Sequence, residues 1–264
     1  TDLVQYNLNG RHALVCGATK GIGRETAISL AHSGAKVTVL ARTQGLLDQL
    51  VAELTAAGAE APSAIAVDLH DRAALTDAIE NLIATRGPVN ILINNAAGPP
   101  GGLIIDAETD AFILGIERHL LAAHTIVKAV VPGMVSEGYG RIINIISTSV
   151  REPIPRLGVS NTVRGAMAGW AKTLARELPP KVTINNVLPG FTNTDRLGSL
   201  AAGRAAREGI SVEDVHKLWL NDVPEKRLAE PSETAAAITF PASPEAAFIR
   251  GVSLAVDGGR MRSI

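Results

Sequence analysis

Cys16-Gly17-Ala18-Thr19-Lys20-Gly21-Ile22-Gly23 is the stretch whose reading decides the fold. The apolar run Ala13-Leu14-Val15 leads into it, and the amphipathic stretch Arg24 to Ser33 leads out. The order is therefore strand, glycine-rich turn, helix. Glycine takes positive φ without a steric penalty and lets backbone approach a ligand closely. A helix starting near Gly21 turns unpaired N–H groups and the positive end of its dipole toward the turn. In this strand–helix setting the turn predicts a dinucleotide site. The alternative is a tight turn with no ligand.

Outward from the turn, short apolar runs alternate with helical segments. Strands are predicted at Lys36 to Leu40, Ala64 to Val67, Asn90 to Ile93, Arg141 to Ile146, Val182 to Ile184 and Val252 to Val256. Helices are predicted over Gln44 to Ala57, from a cap at Asp71 to about Arg86, and over roughly Ala107 to Val135. Further helices are predicted over Ser160 to Leu178, Val212 to Asn221 and Ser232 to Phe240. Thr1 to Asn9 reads as a short tail, and Phe191 to Glu230 as polar and irregular around its one helix. Continuous apolar strands between helices imply an α/β fold, a doubly wound parallel sheet in a single domain. Ligands in such sheets sit beyond the C-terminal strand ends. Those ends carry Cys16, Ala41, Arg42, Asp68, Asn94, Ser147 and Pro189.

The 264 residues are 46% hydrophobic and 19% charged, enough for one large core. A net charge of -1 gives no reason to expect nucleic acid or an acidic membrane surface. The single cysteine, Cys16, cannot form an internal disulfide, which fits a reducing compartment. With no signal-like start and no run read as long enough to span a bilayer, the expectation is a cytoplasmic protein off the membrane.

Together these stretches resemble the short-chain dehydrogenase/reductase family. The motifs are the Gly-x-x-x-Gly-x-Gly spacing at 17, 21 and 23, Asn94-Asn95-Ala96, and Asn185. Pro189-Gly190 with Thr194, and Val256-Asp257-Gly258-Gly259, complete the set. The resemblance covers nearly the whole chain and implies a Rossmann-like fold with a seven-stranded parallel sheet. Cys16 stands where the family usually has threonine. For the cofactor it implies Gly17, Thr19, Lys20, Gly21, Ile22 and Gly23 in the turn, Arg42 after the second strand and Asp68 at the adenine. It further implies Asn94 and Ala96 along the groove, Arg164, and Pro189, Gly190, Thr192 and Thr194 toward the nicotinamide. An NAD site of this type has an acidic residue after the second strand, for the ribose 2′-hydroxyl. Here Ala41 holds that place, with Arg42 next and Lys20 in the turn. Two cations and no carboxylate favour NADP(H) over NAD(H).

The resemblance implies a catalytic Asn, Ser, Tyr and Lys, and three of those positions differ here. Ser147 matches the serine. Ser160 stands at the tyrosine, Arg164 at the lysine and His119 at the asparagine. Only Tyr6 and Tyr139 exist in the chain, and Tyr139 precedes the fifth strand, at the opposite edge. A phenol starts near pKa ~10 and can be tuned toward neutrality, whereas a serine hydroxyl is a far weaker acid. Arg164 keeps a positive charge but cannot relay a proton. His119 is the one replacement that ordinarily titrates near neutral pH.

Each of these residues also has a structural reading. Ser147 would cap a strand end, Ser160 would N-cap its helix, Arg164 would pair on a helix surface and His119 would be a hydrogen-bonded core histidine. Arg151 and Arg156 would be solvated, and Thr194 a loop hydroxyl. The site readings make Ser147, Ser160, Arg164 and His119 the catalytic set of an NADP(H)-dependent oxidoreductase for a small carbonyl or alcohol. Arg151, Arg156, Arg164 and His119 together would favour an anionic substrate. The alternatives are a nucleotide-binding protein without redox turnover and a non-redox lyase-type enzyme. Residues 191–230 are expected to form a substrate lid, lined by His216, Leu218 and Trp219. No metal site is expected, and the resemblance implies a homotetramer.

Overall fold

The computed structural model describes residues 6–263, so the first half of the expected N-terminal tail lies outside the described residues. The chain runs β1 (His12–Cys16), α1 (Gly21–His32), β2 (Lys36–Ala41), α2 (Gln44–Ala56), β3 (Ser63–Ala66), α3 (Arg72–Arg86) and β4 (Ile91–Asn94). It continues with α4 (Thr109–Ile116), α5 (Ala122–Ser136), β5 (Gly140–Ile145), α6 (Gly158–Glu177) and β6 (Val182–Pro189). The last elements are α7 (Asp195–Glu208), α8 (Val212–Asn221), α9 (Pro231–Ala242) and β7 (Ser253–Val256). The seven strands form one parallel sheet in the order β3-β2-β1-β4-β5-β6-β7. The order reverses between β1 and β4, and such a switch point opens a crevice at the C-terminal strand ends.

Alternation along the strands supplies both faces. Ala13, Val15, Val37 and Val39 pack with Leu30, Leu47, Leu50 and Ile238 on the side of α1, α2 and α9. Leu14, Leu40, Leu92 and Ile142 pack with Leu75, Ile79, Ile126 and Val130 on the side of α3 and α5. Leu8, from the segment read as a tail, is wholly buried in the first of these clusters, and its N–H donates to Ser33. Asp71 caps α3 as expected, accepting from the N–H of Ala74 at 3.1 Å.

Three elements differ from expectation. β6 runs on to Pro189, past Asn185 and Asn186, because the polar side chains are paired inside the sheet. Asn94 donates to Asn144 at 2.8 Å, Asn144 to Asn186 at 2.9 Å, and Asn186 to Ser253 at 3.1 Å, one rung across β4 to β7. Asn185 holds the crossover instead, donating to Ile249 and accepting from the N–H of Val252. α7 forms where an irregular stretch was expected, capped by Thr194 and packed against α8 through Ala201, Ala205 and Val215. The long helix Thr109–Ser136 contains one π turn, Glu117–Leu121. By length and composition that helix is apolar enough to cross a membrane, so the expectation that no run qualifies does not hold. Here Ile126, Val130 and Met134 are buried against the sheet.

Candidate functional site

The glycine turn is a cradle that side chains would close. Gly17 and Gly21 have φ of 59° and 53°. A Cβ on Gly17 would meet Asn95 at 2.8 Å, and one on Gly23 would meet the Gly17 carbonyl at 2.2 Å. Lys20 is the N-cap of α1 but makes no side-chain cap bond, and the first turn holds no acidic residue. The leading N–H groups at Gly21, Ile22 and Gly23, with Thr19 partly exposed beside them, are therefore left for an anion. This cradle fits a pyrophosphate. Cys16, beneath it, is buried, and burial pushes its thiol up to about 12, so it is inert.

Arg42 extends from the end of β2 with most of its side chain exposed. Asp68 lies beside it, its carboxylate 3.3 Å from Arg118 and 3.9 Å from Arg42. Lys20 turns the other way. Its Nζ is 3.1 Å from Asp195, at the start of α7, so the two expected cations do not converge on one point. Asn94 is buried, with its amide in the sheet rung and its Oδ1 unpartnered, so its side chain does not face an open groove.

Ser147 follows β5, and its hydroxyl accepts from the N–H of Ser149 at 3.1 Å. Ser160 lies inside α6, whose N-cap is Leu157, so the capping reading of Ser160 is overturned. Arg164, one turn further along α6, is 8% exposed. It does not pair on a helix surface. Its guanidinium turns inward and donates to the carbonyl of Ile145 at 2.6 Å and to that of Ala96 at 3.4 Å. Burial and the nearby Arg196 lower its pKa to about 10, leaving it charged at neutral pH.

His119 sits in the π turn, 5% exposed, with Nε2 3.2 Å from the carbonyl of Ala97. A carbonyl only accepts, so Nε2 carries the proton. Burial, then Arg164, pushes the imidazole well below its ordinary value. The expectation that His119 titrates near neutral pH is therefore overturned by its desolvation. His119, Arg164, Asn94, Ala96 and Cys16 line one small cavity beneath the strand ends. Tyr139 lies before β5 with its hydroxyl donating to the carbonyl of Ala242, and Tyr6 packs at a tilt against Phe240. Neither replaces a phenol at position 160.

Beyond β6, Gly190 is required by close approach, since a Cβ there would meet Asp257 at 2.7 Å. Pro189 ends the strand, and Thr192 is buried with its hydroxyl unpartnered. Thr194 caps α7 through the N–H of Leu197 rather than standing as a solvated loop hydroxyl. Residues 191–229 leave and return at one place, where Thr192 bridges Ala229. Trp219 stacks on Phe191 at 4.9 Å and packs within the α7–α8 cluster, while Leu218 is exposed. Arg151 is exposed and donates to the Ser253 carbonyl, and Arg156 is exposed too. Neither is placed with Arg164. Arg196, which the sequence reading did not single out, is. Its guanidinium donates to Pro99 at 2.6 Å and acts on Arg164. Its place four residues before Leu200 on a helix not foreseen left no signal to find it by.

Residues 11–205 match the family described as short chain dehydrogenase. The chain is 33% identical to a 3-oxoacyl-(acyl-carrier-protein) reductase of Vibrio harveyi over 256 residues, which is 96% of this chain and 98% of that protein. L-sorbose reductase from Gluconobacter frateurii, complexed with NADPH and L-sorbose, aligns with a TM-score of 0.93 at 26% identity. That alignment covers 99% of this chain and 100% of the other. An actinorhodin polyketide ketoreductase variant with NADPH aligns with a TM-score of 0.90 at 29% identity, covering 96% and 98%.

Proposed function

The chain belongs to the short-chain dehydrogenase/reductase family, and from that premise we propose an NADP(H)-dependent oxidoreductase for a small carbonyl or alcohol, working with a non-standard catalytic set. The observation that carries the reading is the open N-terminus of α1 above Gly17, Gly21 and Gly23, with Arg42 and no carboxylate after β2. The nicotinamide dinucleotides of the NADPH-bound relatives supply hydride chemistry of this kind.

This chain's own residues would do the rest. The N–H groups from Gly21 hold the pyrophosphate, and Arg42 takes the 2′-phosphate. Asp68, fixed by Arg118, faces the adenine end, with Thr194 and Gly190 at the nicotinamide end. The hydroxyls of Ser147 and Ser160 donate to the substrate oxygen. The buried charge of Arg164 stabilises negative charge developing there, in a site of low dielectric. The proton comes from water, because neutral His119 uses its one N–H on Ala97. His119 and Arg164 hold the loop after β4 in place. Residues 191–230 act as the lid over the substrate, and the working assembly is a homotetramer.

The test is a fluorescence titration with NADPH and NADH, followed by absorbance assays over a panel of carbonyls and alcohols. Saturable binding that prefers NADPH, with turnover of part of the panel, is the expected result. No turnover with bound NADPH sinks the redox reading. One observation favours a second reading, nucleotide binding without turnover. No phenol stands at position 160, and two N–H groups of Arg164 are engaged by backbone carbonyls.

A further inference from the structure

Arg164 and Arg196 form a cationic pair that the protein itself leaves uncompensated. Arg164 is more than nine-tenths buried, and its Nε has no hydrogen-bond partner. Its known partners are the carbonyls of Ile145 and Ala96, which carry partial charges only. Arg196 likewise donates to a carbonyl, that of Pro99. Among the described residues neither arginine has a carboxylate within ion-pair distance. Asp195, the sequence neighbour of Arg196, is engaged with Lys20 instead. Arg164 is thus a buried charge without a partner, which is costly, while Arg196 is exposed to solvent and adds to that cost through its repulsion of Arg164. In a chain of net charge -1 the excess is local.

The two side chains also share a target. Ala96, held by Arg164, and Pro99, held by Arg196, belong to the same loop after β4. The guanidinium of Arg196 reaches across that loop at Gly98, 3.4 Å from where a Cβ would stand. A ligand lying over residues 96–99 therefore meets Arg196 at its side and the field of Arg164 beneath it.

We infer that the carbonyl substrate carries a carboxylate, received by the guanidinium of Arg196 above the buried charge of Arg164. This rests on the oxidoreductase reading and adds the substrate class: a small oxo acid rather than a neutral ketone. Guanidinium and carboxylate match as a bidentate pair, and the exposed side chain of Arg196 is open to such a ligand. A phosphate of the cofactor is the other source of such an anion, and the experiment separates the two.

The protein, loaded with NADPH, is challenged with pyruvate, acetoacetate and levulinate and with their methyl esters. The readouts are NADPH oxidation and the shift in thermal midpoint. At least one acid is expected to outperform its ester by about ten-fold in KM, or to raise the midpoint where its ester does not. Arg196→Gln is expected to remove that advantage while NADPH affinity stays within about two-fold, and Arg196→Lys to keep part of it. Equal behaviour of every acid and ester overturns the proposal, as does an acid advantage that survives Arg196→Gln. A loss of NADPH affinity of about ten-fold in Arg196→Gln also overturns it, by assigning the anion to the cofactor. If NADPH does not bind at all, the oxidoreductase reading fails separately. The midpoint shift of the protein alone, with acid against ester, then still decides the anion pair.

Discussion

Lys20 and Asp195, 175 residues apart in sequence, meet at 3.1 Å and tie the glycine turn to the first turn of α7. The contact is reinforced beside it, where Thr194 lies 3.0 Å from the position a Cβ on Gly21 would take. The glycine turn is thus joined to the start of α7.

Both partners are largely exposed, so the ion pair itself contributes little, between ~0 and 1 kcal/mol. Asp195→Asn is expected to leave the thermal midpoint nearly unchanged. It is also expected to tighten NADPH binding by up to about five-fold at low salt, because Lys20 becomes available to a phosphate. The gain should shrink at high salt, where exposed charges are screened. Fluorescence titrations at two ionic strengths check this, and unchanged affinity at low salt contradicts it.

Gly23 separates packing from ligand contact. A Cβ there would stand 2.2 Å from the Gly17 carbonyl, whereas one on Gly45 meets nothing within 4 Å. Gly23→Ala is expected to destabilise the protein by about 1–3 kcal/mol through overpacking and to abolish NADPH binding. Gly45→Ala is expected to be neutral or stabilising by up to about 1 kcal/mol. Calorimetry on both variants decides, and a stable Gly23→Ala that binds NADPH would refute the account of the turn.

The two buried histidines give acidity a direction. Burial lowers His119 well below its ordinary value and lowers His12 as well. In the unfolded chain each takes a proton near pH ~6.5, while the folded protein resists taking it. Their contribution to stability is complete above about pH 6.5 and is lost as the pH falls below it. Denaturant unfolding at about pH 7.5 and about pH 5.5 should differ by roughly 1 kcal/mol less in His119→Asn than in the unaltered protein. Identical pH slopes would show that His119 is not held neutral by the fold.

The Asn94–Asn144–Asn186–Ser253 rung is continuous across four strands. Asn144→Ala removes the centre and leaves a donor on Asn94 and an acceptor on Asn186 unpaired in the core. A loss of about 2–4 kcal/mol is expected, beyond what a single exposed hydrogen bond contributes. Equilibrium unfolding measures it, and a loss below about 1 kcal/mol would mean the rung is dispensable.

Much of the frame was legible in the chain. The apolar runs at Leu14, Val39 and Ile93 and the helices between them were placed within a few residues, since burial on two faces imposes a pattern that few segments satisfy by chance. The misses share another cause. β6 continues past Ile184 through asparagines, which are poor strand material on their own and carry no strand signal. α7 has no sequence signature of its own, because its stability comes from the Thr194 cap and from α8, not from its polar surface. The π turn around His119 has no periodicity to announce it.

The sequence by itself determined the strand–turn–helix cradle at Gly17, Gly21 and Gly23, the alternation of layers and the residues at each strand end. These follow from local sterics and from the period of burial, which neighbouring residues carry among themselves. Only the tertiary structure decided where the long side chains go. Arg164 turns inward to Ile145 and Ala96, His119 is held neutral on Ala97, and Arg196 joins them from α7. The reason is that a flexible charged side chain is directed by acceptors and charges from distant segments. Its pKa is likewise set by burial that no neighbour in sequence reveals.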